Sequence, residues 1–289
     1  MRTLAEIPPR PRDAPLQVLY ADLDGTLAGP GGSMYATPDG VSTRAARAIG
    51  ALHEADVQVV LVSGRTRDQT REAARVLGAR AYVAELGAYV VVRDDQPAET
   101  VLPNFGSFVG TGTGTGTPFA AMARSGAGGF LLERYAGRLE PHTPWAFQDR
   151  EATMLFRGLL DQAKATAGLE AAGYRWLEVL DNGVIRRTYP SLDVPEVHAY
   201  HLVPKGVNKA TAVRLHRERA GVRAEEAAAV GDSPSDVMMA DEVGALFVVA
   251  NGVAGIGGAA DGRANVFATP SAAGDGFAEA VAALLGREP

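Results

Sequence analysis

The sequence predicts an α/β protein: a three-layer core on a parallel sheet, interrupted by an inserted α+β unit. Two observations predict this. Short, wholly apolar runs alternate with amphipathic helical stretches near both ends of the chain, and parallel strands covered on both faces read that way. The alternation breaks between residues 93 and 200 and then resumes, as it does when a second domain is inserted into the first. A length of 289 residues with 46% hydrophobic and 21% charged side chains is ordinary globular composition and allows two cores.

The elements follow in order. Residues 1–15, rich in proline and arginine, predict a flexible arm. Residues 16–23 (LQVLYADL) predict the first strand, and 42–56 (STRAARAIGALHEAD) a helix with a Ser/Thr start. Residues 57–64 (VQVVLVSG) form a second apolar run, and 66–78 a second helix closed by Gly78. Residues 79–92 supply one or two more strands. In the middle block, 149–173 reads as a helix of good formers. Residues 174–190 carry Asn182-Gly183 between apolar runs, a hairpin signal. The first rhythm returns with a helix over 206–221, a strand over 226–232, a helix over 233–244, a strand over 245–252 and a last helix over 272–286. The expected division is a core of 16–92 and 201–289 around an inserted unit of 93–200.

Composition excludes several classes. A net charge of −6 with no basic run argues against a nucleic-acid partner. With no cysteine there is no disulfide scaffold, thiolate zinc site or cysteine nucleophile. The N-terminus lacks the apolar core of a signal peptide, and no apolar run is long enough to span a bilayer. A soluble, cytoplasmic protein is expected, and oligomeric state is not readable.

Four patches stand at predicted strand ends, where open α/β sheets bind ligands. In DLDGT, Asp22 and Asp24 are two residues apart, and a turn at Gly25 lets both reach one point above the sheet. Two like charges about 4 Å apart repel by roughly 4 kcal/mol at an effective dielectric of 20, and a cation removes that cost. With oxygen ligands and no thiols, Mg²⁺ is the candidate. In LVSGR, Ser63 emerges at a strand tip, and Gly64 lets backbone approach a phosphate at the following helix start. In VPKGVNKATAV, Lys205 and Lys209 are alternative lysines for neutralising a phosphoryl group. In GDSPSD, Asp232 ends a strand as a metal ligand, with Ser235 and Asp236 as supporting groups. Taken singly, each patch also reads as ordinary structure: an Asp-Gly turn, a serine helix cap, a surface lysine, an N-cap aspartate.

Taken together and in this order, they resemble the four motifs of the haloacid dehalogenase (HAD) superfamily of aspartate-dependent phosphatases. More narrowly, the chain is similar to the Cof-like branch, which also holds sucrose-phosphate phosphatases and phosphomannomutases. That branch carries a large α/β cap between the second and third motifs. The resemblance implies a Rossmann-like core. It implies Asp22 as nucleophile, Asp24 as general acid and base, Ser63 as a phosphoryl binder and Lys209 as the motif lysine. Mg²⁺ would be held by Asp22, Asp232 and the backbone carbonyl of Asp24. The chain departs from the branch at Leu86 and Ser235, each replacing an asparagine. The implied activity is phosphomonoester hydrolysis on a small phosphorylated metabolite, with a sugar phosphate expected. A phosphosugar mutase, a phosphoglycolate phosphatase and a non-catalytic phosphoacceptor are the alternatives.

Other features predict no chemistry. The Gly-Thr repeat of residues 110–118 lacks a dinucleotide fingerprint and reads as a cap loop. His198 and His201 fall on opposite faces of a strand, so they make no metal pair. Trp145 and Trp176 read as packing residues, and Arg150, Arg157, Arg186 and Arg187 as solvated surface.

Overall fold

The valine-rich runs become the centre of a nine-stranded sheet. The computed structural model describes residues 1–11, 13–93, 98–110 and 116–287, so the body of the Gly-Thr repeat lies outside the described residues. Up to the middle block, the elements are β1 (Arg2–Thr3), β2 (Val18–Asp22), β3 (Ala36–Thr37), β4 (Gly40–Val41), α1 (Arg44–Glu54), β5 (Gln58–Val62), α2 (Arg67–Val76), β6 (Ala81–Ala84), β7 (Tyr89–Arg93) and β8 (Glu99–Pro103). The middle block holds α3 (Pro118–Ser125), α4 (Ala127–Arg134), β9 (Leu139–Pro141), β10 (Met154–Gly158), α5 (Gln162–Ala171), β11 (Leu177–Val184) and β12 (His198–Pro204). Then come α6 (Lys209–Ala220), β13 (Ala227–Gly231), α7 (Pro234–Val237), β14 (Ala245–Val248), β15 (Val266–Ala268) and α8 (Ala273–Leu285).

The main sheet has the order β1-β15-β14-β13-β2-β5-β6-β7-β8. It is parallel from β1 to β6, and β7 and β8 add an antiparallel edge. Alternation sorts its side chains into two cores. Leu19, Ala21, Val59 and Leu61 pack on one face with α1 and α8, through Ile49, Leu52, Phe277 and Val281. Val18, Tyr20, Val60 and Val62 pack on the other with α6, through Ala212 and Val213. Both faces being covered explains why these strands show no polar alternation.

A second sheet, β11-β12-β10-β9, is antiparallel and packs on α3, α4 and α5 around its own core of Phe156, Leu169, Tyr200 and Leu202. Its last strand runs on to Pro204, past the expected boundary at 200, and β8 joins the main sheet although it was expected in the inserted unit.

Three expectations are corrected. Residues 1–15 are not a loose arm in their described part: Arg2 and Thr3 pair with Phe267 and Ala268 and cover the edge of β15, and Ala14 is buried. Residues 149–173 do not form one helix. Met154–Gly158 is the inner strand β10, because pairing with β9 and β12 and burial of Met154 and Phe156 outweigh helix propensity. Asn182-Gly183 is not a hairpin turn. The chain continues along β12, with the register shifting between Asp181 and Val184, and Gly183 N–H donates to Asp181 Oδ1 (2.8 Å) in a local turn.

Gly158 ends β10 with φ of 147°, and a Cβ there would lie 2.0 Å from the carbonyl oxygen of Arg138. Gly158→Ala is expected to destabilise by about 2–3 kcal/mol. A urea midpoint unchanged from the parent would contradict this.

Candidate active site

Strand register assembles the site. Asp22 is opposite Val62, and Ala21 is opposite Val230, so the carboxyl ends of β2, β5 and β13 lie side by side. Asp22 ends the first, Ser63 follows the second, and Asp232 follows the third. A fourth group arrives from α6, whose N-cap Asn208 places Lys209 at the first helical position.

Lys209 is 1% exposed, and its Nζ donates to Asp22 Oδ1 (2.7 Å) and Asp236 Oδ1 (2.6 Å). Asp22, Asp232 and Asp236 each offer a carboxylate oxygen within 4.8 Å of the others. Asp236 is saturated: its Oδ2 also accepts from Asp232 N (3.1 Å), Ser233 N (2.9 Å) and Ser233 Oγ (2.5 Å). That leaves Asp22 and Asp232 with the open oxygens. One buried lysine therefore faces three acids. Burial, with Asp236 adding to it against Lys209, pushes Asp22 up to about 7. Burial and the nearby Asp22 push Asp232 well above the usual carboxylate range. Burial alone would lower Lys209, but Asp22 and Asp236 outweigh it and raise it. Hard oxygen donors short of positive charge are what a small divalent cation requires, so the residues fit Mg²⁺.

Asp24 stands apart from this cluster. Its carboxylate is half-exposed and takes a forked pair of hydrogen bonds from Arg65, Nε to Oδ2 at 2.8 Å and Nη2 to Oδ1 at 2.6 Å. The chain turns away from Asp22 through Gly25, whose φ is 88° and where a Cβ would collide with Asp232. Ser63 is 1% exposed, and its Oγ accepts from Arg65 N (3.2 Å). Gly64 lies under the second sheet, where an added Cβ would meet Asn182 Nδ2 on β11 and His201 Nε2 on β12, each at 2.9 Å.

Of the two candidate lysines, Lys205 is outside the site and pairs with Glu170 on the surface of the second unit. Ser235 turns toward that unit instead of the acids, donating from Oγ to Asn182 Oδ1 (2.8 Å). His198 bonds Asp181 through Nδ1 (2.8 Å). Trp176 stacks at a tilt on Phe108, and Trp145 is exposed. Arg157 pairs with Glu140 (2.6 Å), and Arg186 Nη2 donates to the carbonyl of Asn251 (3.2 Å). Arg150 is not solvated surface. It is buried, with Nη1 donating to the carbonyl of Gly64 (3.2 Å) and to Thr153 Oγ1 (2.9 Å).

Three residues at the site had no role in the sequence reading. Arg65 stands inside the Ser-Gly-Arg patch. Asn251 follows β14, and its Nδ2 donates to the carbonyl of Gly25 (2.9 Å) and to Asp232 Oδ2 (3.0 Å). Glu85 is fully buried and accepts from Glu151 N (2.8 Å), Ala152 N (3.0 Å) and Thr153 N (2.9 Å), tying the two units together. A lone Asn-Gly after an apolar run was the only signal for Asn251. For Glu85 the signal was an acid inside a buried stretch.

Residues 19–104 and 192–281 match the family model of haloacid dehalogenase-like hydrolases. The chain is 28% identical to a phosphoglycolate phosphatase of Methanothrix thermoacetophila, over 92% of this chain and 96% of that one. It is 25% identical to a phosphoglycolate phosphatase of Archaeoglobus fulgidus, over 92% of this chain and 95% of that one. In fold it is similar to the sucrose-phosphatase of Synechocystis sp. PCC6803, solved with sucrose and phosphate, with a TM-score of 0.62 at 14% identity over 93% and 98% of the two chains. With its acids and lysine at the strand ends and a second unit over them, the chain belongs to the haloacid dehalogenase-like hydrolase family and is a phosphatase.

Proposed function

We propose that this chain is a Mg²⁺-dependent phosphomonoester hydrolase that works through an aspartyl-phosphate on a small phosphorylated metabolite. The observation that carries this is the placement of Asp22: a buried carboxylate at a strand end, held by Lys209 and facing Asp232. Asp22 Oδ attacks phosphorus in line while Lys209 offsets the charge that would repel it. Asp24, held at the mouth by Arg65, gives a proton to the leaving oxygen and later takes one from the water that cleaves the acyl phosphate. Ser63 Oγ and the backbone at Gly64 hold phosphoryl oxygens. Asp22, Asp232 and the carbonyl of Asp24 would hold Mg²⁺. Bound there, the ion supplies further charge neutralisation at the phosphoryl group. In this reading residues 16–92 and 201–289 act as the catalytic core, and 93–200 as a cap that excludes water and selects the ester. No helix among the described residues is long and apolar enough to cross a membrane, and a cytoplasmic enzyme with small-molecule substrates fits that.

A sugar phosphate is the expected substrate. The names of the curated relatives favour phosphoglycolate as a second reading. Phosphate release from a panel of such esters, with Mg²⁺ and after its removal by chelation, tests the proposal. Equal turnover in chelated and Mg²⁺-supplied enzyme would rule it out. Analysis of the products for isomerised sugar phosphate separates hydrolase from mutase.

Asn251→Ala removes the donor that orients Asp232, and is expected to weaken Mg²⁺ binding about 10- to 100-fold. Titration of activity or thermal stability with Mg²⁺ measures it, and an unchanged midpoint would argue against Asp232 as a ligand.

A further inference from the structure

One buried acid joins the Ser63-Gly64-Arg65 loop to the second unit. All three carbonyls of that loop are held. Leu86 N–H donates to the Ser63 carbonyl (3.0 Å), Arg150 Nη1 to that of Gly64 (3.2 Å) and Glu85 N–H to that of Arg65 (2.8 Å). The C=O and N–H of a trans peptide point in opposite directions, so holding a carbonyl also aims the N–H of the next residue. Arg65 N–H is in this way turned to Ser63 Oγ (3.2 Å). Gly64 N–H, aimed by the Ser63 carbonyl, has no partner among the described residues and is a backbone donor available to a phosphoryl oxygen.

Glu85 and Leu86 hold two of these carbonyls from an uncommon backbone. Their φ angles are 48° and 60°, left-handed values that strain a residue with a Cβ and persist only where the surroundings enforce them. Part of that enforcement belongs to the second unit. The Glu85 carboxyl accepts from Glu151 N (2.8 Å), Ala152 N (3.0 Å), Thr153 N (2.9 Å) and Thr153 Oγ1 (3.0 Å), at the entrance to β10. Arg150, just before them, is the donor on Gly64, and its Nη1 also reaches Thr153 Oγ1 (2.9 Å). Residues 63–65, 85–86 and 150–153 thus form one closed ring of hydrogen bonds across the two units. Glu85 and Thr153 are fully buried, so water replaces none of these bonds until the units part.

We propose that Glu85 is a positioning residue for the phosphoryl-binding loop: through it, seating of the second unit fixes the Ser63 and Gly64 peptides, so that seating and phosphoryl binding strengthen each other. The proposal rests on the hydrolase reading above and adds a residue to it. Lifting residues 150–153 away takes four donors from Glu85 and one from the Gly64 carbonyl, and frees the left-handed pair to relax. Coupling between two binding events is reciprocal, so a phosphoryl oxygen that locks Gly64 tightens the hold of Glu85 on residues 151–153 by the same factor. Arg65 carries the effect to the mouth of the site, since Glu85 holds its carbonyl and its side chain holds Asp24.

The test uses inorganic phosphate with the Mg²⁺-supplied full chain and two readouts that need no turnover: its Kd by calorimetry, and hydrogen exchange of the amides of residues 151–153. In the parent, phosphate is expected to slow that exchange about tenfold. Glu85→Gln, which sets an amide N–H₂ against a backbone donor, is expected to weaken phosphate binding about tenfold and to remove most of the slowing. Thr153→Val should act in the same direction by about threefold, and Thr153→Ser, which keeps the hydroxyl, should restore parental values. The Thr153 pair decides the matter if Glu85→Gln does not fold. Gly158→Ala weakens the far end of the same strand without touching the ring, so its phosphate Kd and the effect of phosphate on exchange should match the parent. Exchange indifferent to bound phosphate, or equal losses of affinity in Gly158→Ala and Glu85→Gln, overturns the role of Glu85 and leaves the hydrolase reading intact. Phosphate-linked exchange in a chain that hydrolyses no ester sinks the hydrolase reading alone, and a parent that binds no phosphate sinks both.

Discussion

Lys209→Met is expected to destabilise the protein by about 3–5 kcal/mol and to lower phosphatase activity by more than about 100-fold. The reason lies in the count of charges. Lys209 Nζ sits between Asp22 and Asp236 at 2.7 and 2.6 Å, with 1% of the residue exposed. Methionine fills a similar volume, so little is lost from packing. What is lost is the buried cation, and two carboxylates then face each other with Asp232 beside them. Removing one partner of a buried pair strands the other charge, which costs far more than the intact pair contributes. Urea unfolding without divalent ion measures the effect. If Mg²⁺ binds at these acids, its addition should recover part of the loss. A variant within about 0.5 kcal/mol of the parent would mean that the acids are neutral or well solvated, contrary to the geometry.

Asp22→Asn carries the second large effect, and it is expected to separate activity from stability. Turnover should fall by about 10⁴-fold or more, because an amide neither attacks phosphorus nor forms the acyl phosphate. Stability should hold or rise. Burial and Asp236 push Asp22 up to about 7, above its unfolded value of 3.8, so the folded state binds the proton more tightly than the unfolded chain does. Ionised Asp22 thus weakens the fold, with a cost that grows as pH rises from 3.8 toward about 7 and stays constant above it. Asparagine carries no charge at any pH. In metal-free buffer at pH 8, Asp22→Asn should therefore melt no lower than the parent. Retained turnover would refute Asp22 as nucleophile, and a marked drop in melting temperature would show that its pair with Lys209 outweighs the burial of its charge.

How much of this was legible before folding depends on what each residue responds to. The strands β2, β5, β13 and β14 were readable because burial on both faces leaves an uninterrupted apolar run, and the acids ending β2 and β13 were readable because charge is out of place there. Strand β10 was not readable. Met154, Leu155 and Arg157 favour helix as readily as strand, and only pairing with β9 and β12 decides between them. Asn182-Gly183 carried the local chemistry of a turn, but that chemistry was spent on a bulge above the site. Lys205 and Lys209 looked alike in sequence and were separated only by the start of α6, which aims one inward and leaves the other on the surface. Arg65, Asn251 and Glu85 are invisible to local reasoning because each acts on a partner at least 19 residues away.

The order of strands in the main sheet has a consequence during synthesis. Strand β2 has β5 on one side and β13 on the other, and β1 waits for β15 near the far end of the chain. A ribosome that has just released residue 204 has delivered every strand of the second sheet, so that unit can close early. The main sheet at that moment has a naked edge along β2, open to pairing with neighbouring nascent chains. Asp22 waits there without its lysine, and its charge is offset only as α6 and β13 emerge and zip the sheet shut.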